Sequence, residues 1–288
     1  MAGKNTVFQQ KSTLNVRGSL LDLSKPKIMG ILNLTPDSFY DGGKNNQLND
    51  ALKKTEQILS EGADLIDIGA YSSRPGADHI SEKTESERLI PVLRAIVSEF
   101  PDAILSIDTF RSEIARTAVN EGAAIINDIS AGSMDPGMFQ TITELNVPYI
   151  MMHMKGNPQT MASENDYEDI TTEVCQYFAS RIQKLKNLGV NDLIVDPGFG
   201  FAKNLEQNYE LLANLEHLKS VGHPVLAALS RKSMIYKLLE TDAEHALNGT
   251  TAANTIALLK GANILRVHDV KAAIEALKIV NQLNIHHK

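Results

Sequence analysis

The stretch IMGILNLTPDSFYDGG, residues 28–43, changes character halfway along, and this change indicates how the chain folds. Its first half is an apolar run of the kind that forms a buried strand of a parallel sheet. The second half contains the polar side chains of Asn33, Thr35, Asp37, Ser38 and Asp41. Pro36 lies among them, and the pair Gly42-Gly43 follows them. If other strands end in the same way, this polar loop belongs to a site that several strands share.

The composition describes an ordinary globular chain. It has 288 residues, 43% of them apolar, which is enough for one large domain or two small ones. The net charge of -7 argues against nucleic acid or an anionic membrane as the main partner. The single cysteine, Cys175, excludes a disulfide within the chain, and its helical surroundings favour a packed side chain over a nucleophile. With no signal-like or membrane-spanning apolar run, we expect a cytoplasmic protein.

A unit of a Val/Ile/Leu-rich run, a polar end and an amphipathic helix recurs along the chain. The apolar runs are residues 27–34, 63–70, 103–110, 123–130, 148–154, 192–199, 224–230 and 263–269. Glycines that suit helix C-termini precede four of them, at Gly62, Gly122, Gly189 and Gly261.

Eight such units over roughly 250 residues predict a closed (β/α)₈ TIM barrel. A doubly wound open sheet is the alternative, but no G-x-G-x-x-G sequence follows the first strand. We expect residues 1–26 to form an N-terminal cap, such as a hairpin closing the bottom of the barrel. Residues 27–288 would then be a single catalytic domain.

Every predicted strand ends in polar or charged residues. In order along the chain these are Asn33; Ser72, Ser73 and Arg74; Asp108; Asn127 and Asp128; His153; Asp196; Ser230, Arg231 and Lys232; Arg266 and His268. A single Asp or Ser at such a position is often only the cap of the next helix. Capping does not explain eight strands out of eight, nor the cations, because helix N-termini repel positive charge. The sequence therefore predicts an active site where the strand ends share one rim.

The cations at these strand ends predict an anionic ligand. Arg74, Lys232, Arg266 and His268 would gather positive charge on one rim of an acidic chain, which suits phosphate or diphosphate.

The carboxylates predict a second function of the same site, which is to bind a heterocycle. Asp108 and Asp196 with the amide of Asn127 match the hydrogen-bonding edge of a heterocycle such as an aminopyrimidinone. The alternative use of two carboxylates is a metal site or an acid/base pair, and the residues alone leave this alternative open.

Eight motifs in order identify a resemblance. They are GILNLTPDSFYDGG, GADLIDIGAYSSRPGA, SIDTFR, IINDISAG, MHMKGNP, IVDPGFGFAK, ALSRKSMI and RVHDV. From residue 28 to about 270 the chain closely resembles the dihydropteroate synthase family. The resemblance implies a (β/α)₈ barrel that joins 6-hydroxymethyl-7,8-dihydropterin diphosphate to p-aminobenzoate with Mg²⁺. It also implies a homodimer built on helices late in the chain, and a target of sulfonamides.

The resemblance also implies residue roles. Asp108, Asn127, Asp196 and Lys232 would hold the pterin edge. Met152 and Phe201 would flank the pterin ring or its neighbour site. Asn33, Arg74, Arg266 and His268 would bind the diphosphate, with Asn33 near Mg²⁺. Phe39, Ser73, Pro75 and Ser230 would surround p-aminobenzoate. One departure is visible, because the family commonly has Gly-Gly-Glu-Ser-Thr-Arg-Pro-Gly where this chain has GAYSSRPG.

The implied chemistry explains the opening loop. The nitrogen of p-aminobenzoate attacks carbon without an enzymic nucleophile, and the barrier lies in separating charge as diphosphate leaves. Family knowledge favours a dissociative order, although the sequence does not exclude direct displacement. Residues 33–43 would form a lid that keeps water out, with Gly42-Gly43 as its hinge.

Two rivals to this function remain open. One is the methyltetrahydrofolate-binding domain of a corrinoid methyltransferase, which would share the pterin-binding carboxylates and amide. That domain has no need of the SRK and RVHD residues predicted to bind diphosphate. The other is a barrel that binds pterin without turning it over, which a diphosphate-release assay would distinguish.

Overall fold

A computed structural model describes residues 10–34, 44–72, 79–161 and 164–285. The described ranges include all eight predicted strands. They do not include residues 35–43 and 73–78, in the loops that follow the first two strands. Four predicted site residues lie outside them, namely Phe39, Ser73, Arg74 and Pro75, as does most of the predicted lid.

The chain begins with a hairpin and continues as eight strand–helix units. The hairpin strands are β1 (Thr13–Val16) and β2 (Ser19–Asp22). The barrel strands are β3 (Lys27–Asn33), β4 (Leu65–Gly69), β5 (Leu105–Asp108), β6 (Ile125–Asp128), β7 (Tyr149–Met152), β8 (Leu193–Asp196), β9 (Leu226–Ala227) and β10 (Ile264–Val267). The helices are α1 (Lys44–Ser60), α2 (Glu82–Glu99), α3 (Ser112–Asn120), α4 (Met138–Leu145), α5 (Ile170–Asn187), α6 (Leu205–Ala213), α7 (Ser233–Leu238), α8 (Leu247–Leu259) and α9 (Val270–Ile285), with a 3-10 helix at Leu215–Val221. Over the described ranges, none of the helices is long and apolar enough to cross a membrane.

The eight barrel strands form one parallel sheet in the order β8-β7-β6-β5-β4-β3-β10-β9. A bridge between Val195 of β8 and Val225, just before β9, brings its two edges together. The predicted (β/α)₈ barrel is therefore confirmed. Each predicted apolar run contains one observed strand, and all eight strands are shorter than their runs, which extend at their polar ends into loops.

Alternation along the strands separates two cores. In β4, for example, Ile66 and Ile68 point outward into the layer between sheet and helices. Leu65 points inward and packs in the barrel interior with residues such as Ile125 and Ile264. Because side chains of a strand alternate between faces, Asp67 follows Leu65 onto the inner face. The barrel interior is thus apolar at the bottom and polar towards the strand C-termini.

The N-terminal hairpin lies against the apolar bottom of the barrel. Leu14, Val16 and Leu23 are buried in the same cluster as Met29 at the start of the barrel. The guanidinium of Arg17 at the hairpin turn donates to the carbonyl oxygens of two helix–strand connections. Whether residues 1–26 form a unit separate from the barrel stays a prediction.

The helix ends follow the sequence signals. Ser81 and Asp169 accept hydrogen bonds from backbone N–H groups in the first turns of α2 and α5, and Asn204 forms a capping box at α6. The four glycines predicted to end helices all have positive φ, namely Gly62, Gly122, Gly189 and Gly261. These stops return the chain to the bottom of the barrel, so that every strand runs towards the same rim.

Candidate active site

A continuous hydrogen-bond network crosses the inner face of the barrel from β10 to β6. Arg266 donates through Nε to Asp67 Oδ2 at 2.6 Å and through Nη2 to Asp108 Oδ2 at 2.9 Å. Asn127 Nδ2 donates to Asp67 Oδ2 at 3.0 Å, and Ser106 Oγ donates to Asp67 Oδ1 at 2.6 Å. The network joins one cation, two carboxylates and an amide at the polar end of the barrel.

Strand register explains why these side chains meet. Asp67 lies opposite Ser106 in the pairing of β4 with β5, and Asp108 lies opposite Asn127 in the pairing of β5 with β6. Residues opposite each other on parallel strands point to the same face. Arg266 arrives from β10, so closure of the barrel brings it to carboxylates far away in sequence.

Arg266 differs from the sequence expectation in one respect. The sequence predicted it as one of a group of cations that bind an anion, yet its guanidinium lies between two carboxylates, Asp67 and Asp108. A buried arginine without such partners would be costly, which is the physical reason for the pairing. Its predicted role in binding diphosphate stays a prediction.

Burial shifts the protonation of Asp108. It raises the pKa of Asp108 to about 7, an effect strengthened by the carboxylate of Asp67 and opposed by Arg266. The charge on Asp108 therefore depends on the groups that surround it.

Asp196 and Lys232 interact electrostatically with this network from the side of β8 and β9. Asp196 Oδ1 accepts a hydrogen bond from Gly198 N at 2.8 Å. Burial raises the pKa of Asp196, and the Gly198 N–H and the charge of Lys232 oppose this shift. Burial lowers the pKa of Lys232 to about 8, against the influence of Asp196 and Asp108. The four residues predicted to hold the pterin edge thus lie in one electrostatic cluster.

An apolar wall adjoins this cluster. Its buried members are Tyr71, Phe110, Ile129, Met152, Met154, Met161, Phe201 and Ala202. The ammonium of Lys232 lies 4.3 Å from the centroid of the Phe201 ring, so the wall and the charged cluster are in contact. Aromatic and methionine side chains provide the flat, polarisable surface that a planar heterocycle requires.

A partly buried lysine, Lys203, stabilises the loop that follows β8. Lys203 Nζ donates to the carbonyl oxygens of Gly198 (3.0 Å) and Phe201 (2.9 Å), and lies 3.0 Å from His153 Nδ1. Burial lowers the pKa of Lys203 to about 7. Gly198 has φ +69°, and a Cβ there would lie 2.1 Å from the His153 carbonyl oxygen, so only glycine fits. This loop fixes the place of Phe201.

Ser230 and His268 are neighbours on the far side of the rim. The Ser230 hydroxyl lies 3.0 Å from His268 Nδ1 and accepts a hydrogen bond from His268 N at 3.2 Å. Next to them, Arg231 makes a two-bond ion pair with Asp269, at 2.9 and 2.8 Å. Arg231 therefore joins the β9 and β10 loops, which places the predicted acceptor and diphosphate residues side by side.

Asn33 is the last residue of β3 and pairs with Gly69 at the end of β4. Across the described residues, no three His, Cys, Asp or Glu side chains are grouped so as to hold a metal ion. A site built mainly from protein carboxylates is therefore not formed by these ranges. The carboxamide oxygen of Asn33 fits a Mg²⁺ ion that takes its other ligands from phosphate and water, as Mg²⁺ commonly does.

Tyr71, where this chain departs from the common family motif, is buried and hydrogen-bonded. Its hydroxyl lies 3.1 Å from His79 Nδ1 and accepts from Gln159 Nε2 at 3.3 Å. Its ring meets Phe110 edge-on, with centroids 5.1 Å apart. Arg111 donates to the Ile80 carbonyl oxygen at 2.6 Å. The two ends of the loop after β4 are thus both tied to neighbouring elements.

Sequence reasoning missed several members of this site. Asp67 and Lys203 were not singled out, and neither was Glu85, which is fully buried and ion-paired with Arg111. For Asp67 a signal existed, because a carboxylate inside the apolar run DLIDIG needs buried partners. The partners themselves could not be identified without the fold.

Comparisons with known proteins agree with this geometry. The sequence profile of the family described as "Pterin binding enzyme" matches residues 29–268. Dihydropteroate synthase of Escherichia coli strain K12 is 45% identical over 269 residues, covering 93% of this chain and 95% of that protein. The enzyme of Haemophilus influenzae is 43% identical, covering 92% of this chain and 97% of its own.

Solved structures give the same result. Yersinia pestis dihydropteroate synthase in complex with a sulfonamide drug has a TM-score of 0.89 and 43% identity, covering 94% of this chain and 99% of that one. The Xanthomonas albilineans enzyme in complex with 7,8-dihydropteroate has a TM-score of 0.84 and 37% identity, covering 94% and 98% of the two chains.

The barrel, its inner cluster of carboxylates and cations and its aromatic wall define the class of pterin binding enzymes. Within that class, the identity over nearly the whole length of both chains is specific. The chain belongs to the dihydropteroate synthase family, transferases of folate biosynthesis.

Proposed function

We propose that this chain joins 6-hydroxymethyl-7,8-dihydropterin diphosphate to p-aminobenzoate, releasing diphosphate and forming 7,8-dihydropteroate. The observation that carries the proposal is the cluster of Asp108, Asn127, Asp196 and Lys232 inside the barrel, beside the wall that contains Phe201. The Xanthomonas relative holds this same product.

The donor's pterin would lie between the cluster and the wall. Asp108 and Asp196 accept hydrogen bonds from N–H groups at the edge of the ring. The Asn127 amide and the Lys232 ammonium supply further polar contacts to this edge. Met152 and Phe201 contact the ring faces. Binding an N–H donor favours the ionised form of a carboxyl, so the pterin lowers the raised pKa of Asp108.

The diphosphate would lie at the mouth of the barrel, beside Arg266 and His268. Arg74, outside the described residues, is assigned to the same group by the resemblance. Asn33 would offer its amide oxygen to Mg²⁺, which when bound would neutralise charge on the diphosphate. The acceptor would lie beside Ser230, with Phe39, Ser73 and Pro75 completing its site.

The chain's contribution to the reaction is then positioning and electrostatics. The bond between the methylene carbon and the diphosphate oxygen breaks, and its electron pair leaves with the diphosphate. The amine nitrogen of p-aminobenzoate forms the new bond to carbon and releases one proton. No protein nucleophile is needed, and Cys175 on α5 contacts the His217 carbonyl on the outer helical layer instead. Arg266 and His268 stabilise the developing negative charge on the leaving group.

Incubation of the protein with the pterin diphosphate, Mg²⁺ and p-aminobenzoate, followed by mass detection of dihydropteroate, tests this function. The proposal requires product and diphosphate in equal amounts, and neither when the acceptor is left out. Binding of the pterin diphosphate without turnover would instead indicate a non-catalytic barrel.

We also propose that the protein works as a homodimer in the cytoplasm. Two neighbouring helices at the end of the chain, α8 and α9, expose large apolar side chains: Ile256, Leu259, Ile279 and Leu283. Exposed apolar side chains on adjacent helices suit an interface with a second copy of the chain. A single cysteine, which allows no internal disulfide, is compatible with a reducing compartment.

A further inference from the structure

Asp67 is a fully buried carboxylate in the middle of β4, where the inner face of the barrel changes from apolar to polar. Its oxygens accept hydrogen bonds from Ser106, Asn127 and Arg266, on three different strands. Burying a carboxylate is unfavourable unless several donors surround it. Asp67 is thus the point through which β5, β6 and β10 are joined inside the barrel.

The two donors at Oδ2 of Asp67 belong to different parts of the proposed donor site. Asn127 is assigned to the pterin edge and Arg266 to the diphosphate, yet both donate to this one oxygen. A carboxylate can only accept, so Asn127 must direct its NH₂ group to Asp67, which turns its carbonyl oxygen away. Arg266, held at Nε, directs Nη2 to Asp108.

We propose that Asp67 is a positioning residue that orients Asn127 and Arg266 together and thereby couples recognition of the pterin ring to recognition of the diphosphate. The proposal rests on the donor substrate proposed above. A carboxylate that only neutralised Arg266 would have no need to fix the Asn127 amide as well. The side chain in Asp67→Asn keeps its shape but replaces one acceptor oxygen with NH₂, so it cannot accept from all three donors.

The test uses the two halves of the donor as separate probes. Calorimetry measures binding of 6-hydroxymethylpterin, and of inorganic diphosphate with Mg²⁺, to the wild type and to Asp67→Asn. We expect affinity for both probes to fall about tenfold, the effect of losing one net hydrogen bond at each half. In steady-state turnover, the KM for the pterin diphosphate rises while the KM for p-aminobenzoate stays within about twofold.

Asp64→Asn is the matched control. Asp64 lies just before the same strand but at the bottom of the barrel, where it accepts from Lys27 Nζ and Ile28 N, both at 2.9 Å. This variant should lose stability while keeping wild-type affinity for both probes. Wild-type affinity of Asp67→Asn for either probe, or an equal rise in both KM values, would overturn the proposal. A wild type that binds neither probe would overturn the proposed donor itself.

If Asp67→Asn does not fold, Asn127→Ala carries the test. Asn127 is assigned to the pterin, so without coupling its removal leaves diphosphate binding unchanged. With coupling, loss of the Asn127 hydrogen bond leaves Asp67 Oδ2 less firmly positioned, and Arg266 donates to the same oxygen. Diphosphate then binds about threefold more weakly. Unchanged diphosphate affinity in a folded Asn127→Ala protein would overturn the proposal.

Discussion

Arg266 donates to Asp108 at 2.9 Å, which ties a cation assigned to the leaving group directly to a carboxylate assigned to the pterin. The ion pair crosses the inside of the barrel, from β10 to β5. A pterin that approaches Asp108 therefore meets an acceptor already engaged by Arg266. A change at Arg266 should therefore also affect how Asp108 meets the pterin.

Arg266→Ala should weaken donor binding far more than acceptor binding. The variant removes the charge that faces the diphosphate and leaves Asp67 and Asp108 without their common partner. We therefore expect the affinity for the donor to fall about 100-fold. Calorimetric titration with each substrate measures the two losses separately. Arg94→Ala is the control, because Arg94 pairs with Glu121 on the exposed helical layer. Equal losses for the two substrates would contradict the assignment of Arg266.

Lys232→Ala should abolish product formation while leaving the fold intact. Removing one preorganised electrostatic group from an active site commonly lowers kcat by about 10²- to 10³-fold. The fold should tolerate the change because burial already disfavours the ammonium, lowering the pKa of Lys232 to about 8. Mass detection of product and a thermal unfolding scan check the two parts. Lys237→Ala, on the exposed side of α7, is the control, and near-normal turnover of Lys232→Ala would refute its role.

The barrel could be predicted because its signals are local. Each strand is a short apolar run, and glycines such as Gly122 and Gly189 end the helices that precede two of them. Strand ends share a rim in any barrel, so Asn127 and Asp196 could be placed together before their contacts were known.

The connections within the site could not be predicted, because they depend on how the barrel closes. Arg266 and Asp67 are 199 residues apart in the chain, and neither sequence neighbourhood identifies the other. Lys203 was missed because its acceptors are backbone carbonyls, which leave no trace in the sequence.

Ile279→Glu should convert the proposed dimer into a monomer. Ile279 is 65% exposed on α9, the helix that follows β10, and in the proposed interface a carboxylate at this position would be buried without a partner. Light scattering after size exclusion should give twice the chain mass for the wild type and the single mass for the variant. Lys184→Glu on α5 introduces the same residue elsewhere and should leave the dimer unchanged. A variant that keeps the wild-type mass would exclude this patch as the interface.

The raised pKa of Asp108 makes the stability of the ligand-free protein depend on pH in a defined direction. A carboxyl in the unfolded chain has a pKa of about 3.9, whereas burial raises the pKa of Asp108 to about 7 in the fold. Between these values the folded state binds the proton and the unfolded state does not. The free energy of unfolding therefore falls as pH rises from about 4 to 7, by at most about 1.4 kcal/mol per pH unit from this group.

Asp108→Asn should remove that dependence. Relative to the wild type, the variant should gain stability steadily between pH 5 and 7, because it has no proton to lose, and the difference should level off above pH 8. Urea unfolding at several pH values gives the free energy of unfolding of both proteins. The test uses how the difference between them changes with pH, because its absolute value also includes the lost hydrogen bond from Arg266. Asp169→Asn is the control, since the hydroxyl and backbone N–H of Thr172 hold the pKa of Asp169 below its usual value. Its difference from the wild type should be flat over the same range. A flat difference for Asp108→Asn would mean that Asp108 stays ionised inside the barrel, and that Arg266 outweighs the effect of burial.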